Sequence, residues 1–320
     1  MTPFIVAELS ANHNGSLDRA IETIDAAALA GADAVKFQTF NPAKMAVPGY
    51  TLSSSAWEGM DLVDLYMEAW TPFEWHEDLF EYARQRDLTP FSSPFDEESV
   101  ELLESVDCPI YKIASFELID LELIALVAKT GKPIIMSTGM AERYEIRAAV
   151  NTARNNGCTD LTLLHCISEY PARPEHMNLV TMRGLEQFNC RVGLSDHSLG
   201  SDIPIAATAL GASVIEKHFT LSRKDGGLDS GFSMEPKEFA RMAKSCRSVH
   251  KSLGRITFGQ GSRDLRRSLY YSEDLQEGTI LENHHIKTAR PALGLSPLML
   301  SHVLGKPLKK DVKANDPVQT

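Results

Sequence analysis

Hydrophobic and polar positions alternate between two periods over about the first 250 residues of the chain. Short β-branched runs at 4–10, 34–39, 89–94, 110–115, 133–139, 161–166, 191–197 and 214–219 read as strands apolar on both faces. Each is followed by a stretch with helical spacing, at 17–30, 74–86, 97–106, 121–129, 142–155, 179–188, 203–210 and 236–253. End signals support these helices. Gly31, Gly131, Gly157 and Gly211 stand where a left-handed C-terminal residue is wanted, and Thr71-Pro72-Phe73-Glu74 combines capping-box spacing with a proline for the first helical position. Eight strand–helix units in succession predict an α/β fold, a (β/α)8 TIM barrel over residues 1–253. An open doubly wound sheet is the competitor, but no Gly-x-Gly-x-x-Gly follows the first strand.

Beyond residue 253 the texture changes. Residues 254–267 are Gly-rich and polar and read as a linker. Short alternating segments at 268–272, 279–281, 286–289 and 309–312, broken by Gly and Pro, predict a small β-rich domain over 268–320. So small a module buries little core by itself and gains from docking onto something larger.

Composition narrows the function classes. With 32 Lys+Arg against 43 Asp+Glu the net charge is −11, which argues against a nucleic-acid-coating surface but leaves anionic small substrates open. Apolar runs stay far short of the roughly 20 residues a membrane span needs, and the N-terminus lacks the basic start of a signal peptide. The five cysteines (108, 158, 166, 190, 246) are scattered without a Cys-x-x-Cys pair. They fit reduced thiols of a cytoplasmic protein better than a disulfide framework or a zinc cage.

In such barrels chemistry collects at the C-terminal ends of the strands, and here every strand ends in polar residues. In order these are Glu8; Lys36 and Gln38; Ser93; Lys112, Ser115 and Glu117; Ser137; His165 through Tyr170; Ser195 and His197; and Glu216 with His218. Two lysines among serine hydroxyls suit a phosphate or carboxylate, although a lysine can instead balance Glu8 or Glu117. His197 and His218 on neighbouring strands could share a divalent ion, and spacing alone leaves that open. A Schiff-base aldolase built on either lysine is the alternative chemistry.

Glu8-Leu-Ser-Ala-Asn-His-Asn-Gly15, Gly31-Ala-Asp-Ala-Val-Lys-Phe-Gln-Thr39, Ser92-Ser-Pro-Phe-Asp96, Ser137-Thr-Gly-Met140, Gly193-Leu-Ser-Asp-His-Ser198 and Val214-Ile-Glu-Lys-His-Phe219 together resemble the sialic acid synthase family. The tail, from Arg267-Ser-Leu269 through Arg290-Pro291 to Leu304-Gly-Lys-Pro307, is similar to that family's antifreeze-like (SAF) domain. The stretches 57–76 and 111–117 resemble its pseudaminic acid branch. The resemblance implies condensation of phosphoenolpyruvate with an amino-sugar aldehyde to give a nine-carbon 2-keto acid and phosphate. It implies that His197 and His218 bind Mn²⁺, Mg²⁺ or a similar divalent metal ion. Lys36, Lys112, Ser115, Ser137 and Ser195, helped by Gln38 and Ser93, would hold phosphoenolpyruvate, and Glu8, Glu117, Tyr170 and Asp229 would face the sugar and water. It further implies a domain-swapped homodimer in which Arg290 reaches the partner's barrel. Ser168 departs from the asparagine of N-acetylneuraminate synthases, so that phosphate contact is not carried over. An N-acetylneuraminate or legionaminate synthase, a metal-dependent aldolase, and a non-catalytic carbohydrate- or ice-binding protein are the competing readings.

Overall fold

The eight apolar runs pair as parallel strands, in chain order, around a closed barrel. They are β1 (Phe4–Glu8), β2 (Ala34–Thr39), β3 (Thr89–Pro94), β4 (Tyr111–Ile113), β5 (Ile134–Ser137), β6 (Leu161–Cys166), β7 (Arg191–Asp196) and β8 (Val214–His218). This is a computed structural model, and it describes residues 2–53 and 56–319. Ile5, Val35, Phe91, Ile113, Leu163 and Leu194 are buried, as a sheet walled by helices requires. Gly193 lets β7 and β8 close: a Cβ there would stand 2.5 Å from the Val214 carbonyl and 2.7 Å from Leu164 Cδ2.

The helices follow their apolar stripes. In Arg143–Asn155, Ile146, Ala149, Val150 and Ala153 face inward, and Glu142 and Glu145 close a capping box. Pro236–Leu253 buries Phe239, Met242, Ala243 and Cys246 behind a box of Glu235 and Glu238. Phe239 and Met242 together contribute roughly 3–6 kcal/mol by burial. Gly31, Gly131, Gly157 and Gly211 all take positive φ, as the stop signals required.

One cap differs from expectation. Thr71 does not cap a helix; its hydroxyl bonds His13 Nε2 at 3.2 Å. Extended Pro72 is followed by a 3-10 turn, Phe73–Trp75, and the α-helix begins only at His76. A tertiary partner therefore captured the side chain that local spacing assigned to the backbone. The insertion after β2 carries two short helices, Pro42–Met45 and Leu62–Ala69, that periodicity did not reveal.

Contacts divide the chain after Gly254 into two units. In the second, β9 (Ser268–Tyr271) and β10 (Ile286–Ala289) pair antiparallel over a core of Leu269, Tyr271, Leu281, Val303, Leu308, Val312 and Val318. The predicted segments near 280 and 312 form single bridges, Ile280 to Pro307 and Leu275 to Val312, rather than strands. No helix among the described residues is long and apolar enough to cross a membrane.

Candidate active site

Parallel register sets the first contacts at the C-terminal rim of the barrel. Glu8 lies beside Lys36 on one side and His218 on the other, Gln38 beside Ser93, and Ser195 beside Glu216. Lys36 Nζ is 2.6 Å from Glu8 Oε2 and donates to Ser93 Oγ at 3.4 Å. Gln38 donates to the other Glu8 oxygen at 3.1 Å and to Ser10 at 2.9 Å. Across the barrel, Glu216 Oε1 accepts from Lys112 Nζ at 3.2 Å and Ser195 Oγ at 2.8 Å.

Two buried carboxylates thus share two buried lysines, and their environments drive them apart. Burial, helped by Glu216, pushes Glu8 up against the pull of Lys36. Burial acts on Glu216 too, but Lys112 and Lys36 outweigh it and hold that group down. A proton entering the cluster therefore settles on Glu8. Glu117, mostly by burial, is pushed up to about 7, and its Oε2 has no hydrogen-bond partner.

A hydroxyl cradle lies beside the lysines. Gly139 N–H donates to Ser115 Oγ at 3.1 Å. A Cβ on Gly139 would stand 2.4 Å from Ser168 Oγ and 2.8 Å from Ser115 Oγ, so both serines crowd over this glycine. The hydroxyls of Ser137 and Ser168 are buried without partners. Unsatisfied donors gathered in a buried niche are what an anion needs.

The two histidines face each other with ring centroids 5.4 Å apart. His197 Nδ1 lies 2.8 Å from the Ile167 carbonyl, which commits that nitrogen as donor, and although burial works against the charged ring, Cys166 and this carbonyl raise it above the usual imidazole range. Burial, reinforced by His197 and Lys36, keeps His218 well below the usual imidazole range and hence neutral. Its Nδ1 has no hydrogen-bond partner and lies 3.9 Å from Asp229 Oδ2. Two facing imidazoles, one held neutral and the other with its Nδ1 fixed by a carbonyl, fit a divalent cation whose remaining ligands are oxygens. On the outward face of the same strands, the buried Lys217–Asp196 pair at 2.5 Å secures the β7 turn that carries His197.

Tyr170 stacks 4.2 Å from His197, Phe232 lies 5.0 Å from His218, and Asp229 accepts from Ala11 N at 3.4 Å. Cys166 is a buried free thiol 3.9 Å from His197 Nδ1. Arg290 belongs to the other unit. It is exposed just after β10, and the neighbouring Pro291 carbonyl accepts from Ser268 Oγ and Tyr270 Oη at 2.9 and 2.6 Å.

Thirteen of the fourteen residues singled out from the sequence therefore lie in the barrel unit, on or just beyond the strand ends. Sequence reasoning gave Glu216 no role, although it stands two residues before His218 on the same strand face. It also left Ser168 aside for departing from a family pattern, and passed over Phe232, an ordinary apolar residue in a loop.

Residues 23–257 match the NeuB family and residues 266–320 the SAF domain. The chain is 45% identical to a pseudaminic acid synthase of Helicobacter pylori, over 99% of this chain and 96% of that protein. It is 42% identical to a pseudaminic acid synthase of Campylobacter jejuni, over 98% and 94%. Among solved structures, an N-acetylneuraminic acid synthetase of Leptospira borgpetersenii, in complex with citrate, superposes with a TM-score of 0.75 at 33% identity, covering 82% of this chain and 88% of that one.

Proposed function

Because this chain belongs to the NeuB family, whose members join phosphoenolpyruvate to a sugar through a new carbon–carbon bond, we propose that it condenses phosphoenolpyruvate with 2,4-diacetamido-2,4,6-trideoxy-L-altrose, giving pseudaminic acid and phosphate. The observation that carries the reading is the convergence on one barrel rim of two lysine–carboxylate pairs, a cradle of buried hydroxyls and two facing histidines. The first two suit a phosphorylated carboxylate, and the third suits an aldehyde oxygen.

Lys36, Lys112 and Ser195 neutralise and orient the anion, with Gln38 and Ser93 fixing the Glu8–Lys36 pair. Ser115, Ser137 and Ser168 meet the phosphoryl oxygens. A divalent ion held by His197 and His218 would supply Lewis-acid polarisation of the aldehyde. Tyr170 and Asp229 hold the sugar beside it. With the reactants so placed, C3 of the enol attacks the aldehyde carbon, whose oxygen takes a proton from a protonated carboxyl, and positive charge develops at C2 near the carboxylates, which stabilise it. Water adds to C2 as its proton passes to a carboxylate. The C2–O bond to phosphorus then breaks with its electron pair leaving on phosphate, and loss of the C2 hydroxyl proton gives the ketone. Glu8 and Glu117, both raised above the usual carboxylate range, are the groups to donate and accept these protons near neutral pH.

The reading extends to the assembly. Residues 254–267 serve as a linker, the SAF domain docks on a second copy in a homodimer, and Arg290 acts there on the sugar's acetamido group. Five free thiols suit a reducing cytoplasm.

The test is phosphate release from phosphoenolpyruvate with the trideoxy sugar, with N-acetylmannosamine as comparison and mass spectrometry of the product. Efficient turnover of the first, giving a nine-carbon keto acid, is expected. Comparable specificity constants for the two sugars would refute the assignment of the substrate.

A further inference from the structure

The insertion between β2 and its helix contributes four aromatic residues near the barrel mouth, and they meet different fates. Tyr50 is exposed, and Tyr66 packs edge-on against Phe40 at 5.7 Å. Trp70 ends the short helix Leu62–Ala69. Among the described residues, Trp57 is the one of the four whose ring meets rings of the candidate site. Its ring lies 5.1 Å from Tyr170 and 6.1 Å from Phe232, and its indole N–H donates to the Leu228 carbonyl at 3.0 Å. Tyr170 and Phe232 in turn contact His197 and His218. The aromatic groups therefore form successive layers leading away from the histidines, with Trp57 outermost.

On the condensation reading, an aldose with its aldehyde carbon at the histidines would run its carbon chain past Tyr170 and present its far end, C6, to the outer layer. Phe232 is buried and holds the Trp57 ring edge-on, whereas Trp57 itself is half-buried. The indole N–H is already committed to Leu228, so the ring offers a hydroxyl no donor. A C6 hydroxyl against that ring would lose water without gaining a partner from the indole, while a methyl group would lose nothing.

We propose that Trp57, held by Tyr170, Phe232 and the Leu228 carbonyl, forms an apolar subsite that selects amino sugars ending in a methyl group over the same sugars with a C6 hydroxyl. The inference rests on the condensation reading above and adds the residue that enforces the choice. Trp57 contacts the substrate, and Phe232 is a positioning residue.

The experiment uses the full-length chain and a matched pair of aldoses, 2,4-diacetamido-2,4,6-trideoxy-L-altrose and its 6-hydroxy counterpart. The readout is the ratio of their kcat/KM values for wild type, Trp57→Phe and Trp57→Asn, with melting temperatures as a check on folding. Wild type should favour the deoxy sugar by about tenfold or more, the range that one group in an apolar pocket commands. Trp57→Phe keeps an apolar ring and should keep that ratio within about threefold. Trp57→Asn should lose about tenfold of it, while the KM for phosphoenolpyruvate stays within about twofold. An unchanged ratio in Trp57→Asn, or a loss reported only as a raised KM for phosphoenolpyruvate, overturns the subsite. If Trp57→Asn does not fold, a ratio that collapses in Trp57→Phe overturns it equally. Failure of wild type to release phosphate with any amino sugar would instead sink the condensation reading, and this inference with it.

Discussion

Replacing Gly139 by alanine tests the hydroxyl cradle with the addition of one carbon. The new Cβ would lie 2.4 Å from Ser168 Oγ, 2.8 Å from Ser115 Oγ and 3.1 Å from Ser115 Cβ. Contacts that short cannot persist, so both serines must rotate or shift. Two costs follow. Overpacking destabilises by about 1–3 kcal/mol, and losing the 3.1 Å bond from Gly139 N–H to Ser115 adds about 1–3 kcal/mol if the amide finds no new partner. The functional cost is separate. A hydrogen bond to a charged phosphoryl oxygen contributes about 1.5–3 kcal/mol, so losing both serines costs about 3–6 kcal/mol of transition-state stabilisation. That is a fall of roughly two to four orders of magnitude in kcat/KM for phosphoenolpyruvate. Steady-state phosphate release measures it, and calorimetric titration with phosphoenolpyruvate measures the ground-state share. Adding Ser168→Gly removes the 2.4 Å clash but leaves the 2.8 Å contact with Ser115 and deletes one hydroxyl, so the double variant should regain stability without regaining the specificity constant for phosphoenolpyruvate. A Gly139→Ala enzyme with a lowered melting temperature but a wild-type specificity constant for phosphoenolpyruvate would refute the cradle, leaving these serines as packing groups only.

Removing either metal-type ligand, by His197→Ala or His218→Ala, should abolish turnover without unfolding the barrel, and chelation should inactivate wild type reversibly; full activity after confirmed metal removal would count against it. Phosphoenolpyruvate carrying heavy oxygen at its bridging position should deliver the label to phosphate, as mass spectrometry of both products will show, and label retained in the keto acid rules out C–O cleavage. Glu117 titrates at about 7 in the folded protein against 4.5 for an ordinary glutamate. Its carboxyl therefore contributes stability that is fully present below about pH 4.5 and is lost as pH rises through about 7. Melting curves of Glu117→Gln should accordingly fall less than wild type over that window, and parallel curves would disprove the raised value. If the chain forms the proposed homodimer with Arg290 acting in trans, Arg290→Ala and His218→Ala should each impair turnover. Their co-expression should restore up to about a quarter of wild-type activity, because a mixed dimer has one site with both residues intact; mixed dimers no better than the better parent would exclude action in trans.

The sequence by itself determined the barrel and its polar rim. Strands apolar on both faces alternating with amphipathic helices have few other solutions, and alternation along each strand dictates that Lys36 and Gln38 share a face, as do Glu216 and His218. Helix stops were legible for the same local reason: a positive φ at Gly31 or Gly131 is a property of the residue itself. What remained illegible depends on groups far apart in the chain. Thr71 had the spacing of a cap, and only the fold brought His13 to its hydroxyl. Lys112 and Glu216 are 104 residues apart, and closing the barrel makes them a pair, so which carboxylate keeps a proton is settled by the tertiary arrangement of both lysines. Ser168 became a candidate phosphate contact only because Gly139 and Ser115 converge on it, and Trp57 was one aromatic among four until the fold set its ring on Tyr170 and its N–H on Leu228. Local periodicity encodes which face a side chain takes; distance, burial and the loss of water that shift its chemistry exist only once remote strands are packed together.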